Sequence, residues 1–251
     1  MKYVGSKARI AKDVAPIIND LIKKNNVLIY YEPFCGGLNM MEKIQCPIRC
    51  GNDVHRELIA LLKKFQQGYE PPETITEEEY VHVRDNKESY PDYYVGLVGF
   101  CAVFGSKYFG GFARGKTDKG EPRDYYKEAI RNIKKQLPYI QDVKLGNHNY
   151  LDIDMSNLDG ALIYCDPPYR DTTKYNTGSF DYDAYYNWCR EVAKTNILIC
   201  SEYEMPEDFK CIWKKPVKTS IDLSNKRHAN DKRVEKLFML NPEQYGIASI
   251  I

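Results

Sequence analysis

The segment Ala161-Leu162-Ile163-Tyr164-Cys165-Asp166-Pro167-Pro168-Tyr169 is an apolar run that ends in an acid, two prolines and an aromatic. Two consecutive prolines stop a β ladder and stiffen the backbone, so the Asp166 carboxylate, the Pro167 carbonyl and the Tyr169 ring should hold fixed directions at a strand end. That set suits an exocyclic amine such as the 6-amino group of adenine, a poor nucleophile because its lone pair is delocalised into the ring. Two acceptors can take hydrogen bonds from its two N–H groups, favour a pyramidal nitrogen and stabilise positive charge as it forms. The aromatic face would hold the flat base by stacking. In isolation the same pattern also reads as a strand followed by a Pro-rich turn.

Two further segments sharpen the reading. Val27 to Tyr31 is a β-branched and aromatic run that leads into Glu32-Pro33-Phe34-Cys35-Gly36-Gly37. This is the strand-to-glycine-loop junction where doubly wound folds bring backbone close to a bound cofactor. A short strand fits Ile48 to Asn52 and ends at Asp53, where such folds place the acid that accepts hydrogen bonds from ribose hydroxyls. A phosphate loop of the GxxxxGK[ST] type is absent, which disfavours ATP hydrolysis.

These residues need a scaffold, and the apolar spacing supplies one. Residues 6–25 carry Ile10, Val14, Ile17, Ile18, Leu21 and Ile22 at helical spacing; helical pattern recurs at 38–45 and 56–65. Strand pattern at 161–165 and 197–201, a helix at 181–194, and strands at 209–213 and 234–240 complete an α/β reading with a parallel-sheet pattern. Between them, 68–145 reads differently. Residues 70–92 hold eight acids against Arg84 and Lys87, 93–104 is an apolar run of helix length, 105–123 is rich in glycine and basic residues, and 124–137 is helical. The expected organisation is a catalytic domain of 1–67 and 146–251 with an inserted, mainly helical unit at 68–145.

Across 251 residues, 36 Lys and Arg nearly cancel 35 Asp and Glu, and the formal charge of +1 excludes a polycation that binds through bulk charge. With 43% hydrophobic and 28% charged residues, the composition is globular. The charge is segregated: 105–135 holds nine basic residues against four acids, and 210–236 holds nine against three. Such patches suit phosphates or a solvated face. The eight cysteines form no CxxC pair and read as reduced core thiols with no metal site. His55, His82, His148 and His228 have no triad-like or metal-like company. Neither a signal peptide nor a membrane span is visible, so a cytoplasmic protein is expected.

Asp166-Pro167-Pro168-Tyr169 resembles the catalytic motif of amino methyltransferases, and the chain resembles the DNA adenine methyltransferase (Dam) family nearly end to end. Tyr3-Val4-Gly5-Ser6-Lys7 is similar to the family's N-terminal aromatic-x-Gly-Gly-Lys motif, with Ser6 in place of the second glycine. The resemblance implies that Tyr3 and Lys7 contact S-adenosylmethionine, that Glu32, Pro33, Phe34, Gly36 and Gly37 form the methionine-side loop, and that Asp53 and Asp166 complete the cofactor site. Gly36-Gly37-Leu38 stands where many relatives have Gly-x-Gly, so Leu38 must accept a non-glycine backbone geometry. Phe104 to Tyr108 resembles the segment before a DNA-contacting hairpin, and Ser224 to Phe238 the polar loop and final strand.

The implied fold is a Rossmann-like S-adenosylmethionine-dependent methyltransferase sheet with an inserted DNA-recognition unit. The implied reaction is N6-methylation of an adenine flipped out of double-stranded DNA, with Asp166, Pro167 and Tyr169 catalytic. Lys107, Arg114, Lys116, Arg123, Lys226 and Arg227 are the expected DNA contacts. Alternatives are a cytosine N4 or RNA amino methyltransferase and a catalytically idle DNA-binding module. A bacterial or phage origin and a cognate restriction endonuclease partner are further expectations of the resemblance.

Overall fold

In the computed structural model, the described residues are 1, 7–116, 120, 122–168, 180–217 and 233–249. Tyr3, Tyr169, Lys226 and Arg227 lie outside them. In chain order the elements are α1 (Ala11–Lys24), β1 (Ile29–Glu32), β2 (Ile48–Asn52), α2 (Arg56–Gln66), α3 (Glu77–Asp85), α4 (Asp92–Cys101), α5 (Tyr125–Ile140), β3 (Lys144–Gly146), β4 (Leu162–Cys165), α6 (Tyr182–Val192), β5 (Ile197–Glu202), β6 (Lys210–Val217) and β7 (Arg233–Met239). The sheet order is β3-β2-β1-β4-β5-β7-β6. This is a mixed α/β, Rossmann-like arrangement. None of the helices is long and apolar enough to cross a membrane, among the described residues.

Two compact units are present, Met1–Asp20 with Phe34–Ile153 and Leu21–Pro33 with Asp154–Ile251. In the second, β1, β4 and β5 pair in parallel, with Tyr30 opposite Leu162 and Cys165 opposite Cys200. Every residue of β4 and β5 is buried, which is why both read as continuous apolar runs rather than alternating ones. β7 is antiparallel to both β5 and β6, so the parallel-sheet pattern of this half holds for β1, β4 and β5 and not for its last two strands. β6 lies at the sheet edge and alternates in exposure; the edge position also tolerates Pro216 inside the strand. It runs further than the 209–213 the sequence suggests.

In the first unit, β2 and β3 pair in parallel, from Cys50 opposite Lys144 to Asn52 opposite Gly146. Strand β3 was not expected, since only Leu145 of its three residues is a hydrophobic side chain. Helix α2 buries Leu58, Ile59, Leu61, Leu62 and Phe65, and α4 meets it through glycine. A Cβ added at Gly96 would lie 2.2 Å from the Glu57 carbonyl oxygen, so only glycine permits this approach. The expected helix at 38–45 is instead a turn followed by a single 3₁₀ turn, Met41–Lys43. Leu38 does not take the non-glycine geometry expected of it: it sits at φ +58°, in the left-handed region that favours glycine, with its side chain fully buried.

The segment 68–145 is mainly helical, with α3, α4 and α5, and lies wholly within the first unit. Its glycine-rich part forms antiparallel bridges between Val103 and Phe112 and between Lys116 and Pro122. Gly111, at φ +116°, donates its N–H to the Tyr80 hydroxyl of α3 at 3.1 Å and so anchors the loop.

Candidate active site

In the second unit, β4 delivers Asp166 immediately beyond its last residue. Pro167 is buried, and the Pro168 carbonyl accepts a hydrogen bond from Tyr182 Oη of α6 at 2.8 Å. The turn is therefore stiffened twice, by its two prolines and by the tyrosine of the following helix. Glu32, at the end of the neighbouring β1, is 3% exposed, and Tyr30 Oη donates to its Oε1 at 2.9 Å. Burial pushes the Glu32 carboxyl up to about 8; the Tyr30 hydrogen bond opposes the rise and the charge of Asp166 adds to it. Two carboxyls at the ends of adjacent parallel strands thus sense each other, and at neutral pH Glu32 is mostly the protonated member.

In the first unit, the glycine loop is fastened from three sides. Gly36, at φ +46°, donates its N–H to Asp53 Oδ2 at 3.0 Å, and Cys35 N–H donates to the Asn52 carbonyl at 2.8 Å. The third tie is Gln136 of α5, whose Nε2 donates to the carbonyls of Gly37 and Leu38, each at 3.0 Å. Gln136 Oε1 accepts from the Met1 amine. Phe34 packs its ring 5.1 Å from that of Tyr150.

Asp53 is bound on both oxygens, because the His55 N–H donates to Oδ1 at 3.0 Å. Asn147 Nδ2 holds the Asp53 carbonyl at 2.7 Å. Burial raises the Asp53 carboxyl above its usual range, against the pull of the His55 and Gly36 N–H groups. A carboxylate has about four lone-pair sites, so about two remain for further donors. Lys7 opens the described N-terminal segment in a 3₁₀ turn and is 8% exposed, an unusual burial for a lysine.

The expected DNA contacts within the described residues are exposed, and two are already engaged. Arg114 forms an ion pair with Glu77 of α3, with Nε to Oε2 at 3.1 Å. Arg123 grips Glu128 of α5 through two hydrogen bonds of 2.7 and 2.8 Å and lies 4.7 Å over the Tyr125 ring. Exposed pairs of this kind contribute little to stability, and a phosphate can displace the carboxylate at small cost. Lys107 and Lys116 are exposed.

Sequence reasoning missed Gln136, Tyr182, Asn147 and the Glu32–Asp166 coupling. None carries a local signal, since each acts on a segment distant in the chain; only the buried acid of Glu32-Pro33 in an otherwise apolar strand end gave a hint.

The family model for D12 class N6 adenine-specific DNA methyltransferases matches residues 3–205. No curated protein matches. Among solved structures, that of SMU.472 complexed with SAH is 13% identical with a TM-score of 0.39. The match covers 94% of this chain and 53% of that one, so the chain spans about half that protein's length.

Proposed function

The chain belongs to the D12 class of N6 adenine-specific DNA methyltransferases, and from that membership we propose that it transfers a methyl group from S-adenosylmethionine to the 6-amino nitrogen of an adenine flipped out of double-stranded DNA. The observation that carries the reading is the Asp166-Pro167-Pro168 turn, held at the end of fully buried β4 and locked by Tyr182. Asp166 and the Pro167 carbonyl accept the two amine N–H groups, and Tyr169 stacks on the base. As the nitrogen gains positive charge, the Asp166 carboxylate stabilises it and takes up the proton that leaves.

The residues present fit the cofactor. Gly36 adopts a positive φ in a buried loop, Asp53 retains acceptor capacity, and Glu32 is a buried acid. Tyr3, Lys7, Glu32, Pro33, Phe34, Gly36, Gly37 and Asp53 would hold it, with Asp166 completing the set. When bound, S-adenosylmethionine supplies a methyl group activated by its sulfonium. The segment 68–145 is proposed to read the DNA, with Lys107, Arg114, Lys116 and Arg123 on phosphates and Lys226 and Arg227 adding to the grip.

The test is to express the protein in a host lacking adenine methylation and map modified bases by single-molecule sequencing. N6-methyladenine at a recurrent sequence is the expected result; N4-methylcytosine, or no modified DNA base, would overturn the assignment. Titration with S-adenosylmethionine separates the enzyme from an idle DNA-binding module, which would show no affinity.

A further inference from the structure

Beneath the Asp166 turn, three thiols converge that the proposed reaction does not use. Cys165 is the last residue of β4, Cys200 is its direct partner in the parallel ladder on β5, and Cys189 comes from α6 packed over that face. All three are fully buried, at 0% exposure, and none is in a disulfide. Their sulfurs lie within 4.8 Å of one another, with Cys189 Sγ and Cys200 Sγ 3.8 Å apart. They are the one such group of potential ligands among the described residues.

The spacing is what a metal ion needs. With metal–sulfur bonds of about 2.3 Å, three thiolates around one ion sit about 3.8–4.0 Å apart. Small side-chain rotations bring the trio to that distance. Soft sulfur donors select thiophilic ions over magnesium or calcium. A dry pocket disfavours a large net charge, so a divalent ion bearing three thiolates, net −1, suits it better than a monovalent one at −2.

We propose that Cys165, Cys189 and Cys200 form a binding site for a thiophilic divalent ion of the zinc and cadmium class, clamping β4, β5 and α6 together directly under Asp166. Binding exchanges three S–H bonds for three metal–sulfur bonds and releases three protons to solvent; no electron moves. The clamp is independent of the methyl-transfer reading, and its test does not involve DNA.

Chelator-stripped protein, kept reduced and anaerobic, is titrated with cadmium both as the native protein and during refolding, since the pocket is closed. The expected result is one retained cadmium per chain, with sulfur-to-cadmium charge-transfer absorption and a cadmium NMR signal characteristic of three thiolates. Cys189→Ala and Cys200→Ala each abolish that signal, whereas Cys46→Ala, Cys50→Ala and Cys211→Ala retain it. The NMR donor count is read on the unaltered chain, so it stands even if a variant fails to fold. No stoichiometric cadmium by either route, a donor count below three, or a signal that survives in Cys189→Ala and Cys200→Ala would overturn the proposal.

Discussion

Replacing Glu32 by Gln removes a titrating group from the buried end of β1 while preserving its shape. In the native protein the carboxyl titrates near 8, and in the unfolded chain near 4.5. The folded state therefore holds a proton that the unfolded state releases between those values, and stability falls as pH rises through that window. Linkage with these two values gives a loss of about 3 kcal/mol between pH 6 and pH 9, after which the curve flattens. Glu32→Gln carries no such proton, so its stability relative to the native sequence should rise by up to ~3 kcal/mol across the same interval. Urea unfolding of both proteins at pH 6, 7.5 and 9 measures the difference. The Asp166 carboxylate contributes to the rise in Glu32, so Asp166→Asn should move the window toward lower pH. Stability curves for the native protein and Glu32→Gln that stay parallel from pH 6 to 9 would refute the assignment of a protonated, buried Glu32.

Other perturbations follow from particular contacts. Gln136→Leu leaves the Gly37 and Leu38 carbonyls without their donor and should cost about 2–4 kcal/mol in urea unfolding. It should also weaken binding of S-adenosylmethionine, measured by calorimetry, because the loop loses its tie to α5. Gly96→Ala drives a methyl group into the Glu57 carbonyl and should destabilise by about 3 kcal/mol or more, since backbone must move to admit it. Arg114→Ala should lower the slope of log affinity against log salt by about 0.9 if the side chain meets one phosphate. Conversely, Glu77→Gln releases Arg114 from its present partner and should tighten DNA binding in a filter or anisotropy assay; unchanged affinity in both variants would remove Arg114 from the interface.

The sequence made legible those parts whose physics is local. β4 and β5 are buried throughout, so their composition alone marked them, and α2 and α6 showed a clear apolar stripe. The glycine loop and Asp53 stood out in the sequence because strand ends and turn residues announce themselves, and the structure joins them through the Gly36 N–H on Asp53 Oδ2. Leu38 misled the reading at 38–45: it stands where many relatives have glycine, and it keeps the positive φ that glycine would adopt instead of the non-glycine geometry expected of a leucine. β3 escaped because three residues with one apolar side chain are strand-like only when β2 lies alongside. Gln136 reaches a loop 98 and 99 positions away, and the Cys165–Cys189–Cys200 trio is assembled by strand register and helix packing rather than by spacing. Such convergence is a product of the fold and leaves no motif.

The most direct test of the central claim is methyl transfer by Asp166→Asn, which keeps the size of the side chain but replaces the carboxylate proposed to accept from the amine. With labelled S-adenosylmethionine and DNA carrying the recognition sequence, single-turnover incorporation should fall by about 100-fold or more, the range typical of losing one preorganised charge-stabilising group. DNA affinity at low salt should persist, as a control for folding. Incorporation within a few-fold of the native protein would contradict the account, because the Asp166 carboxylate could then not be the group that stabilises the developing charge.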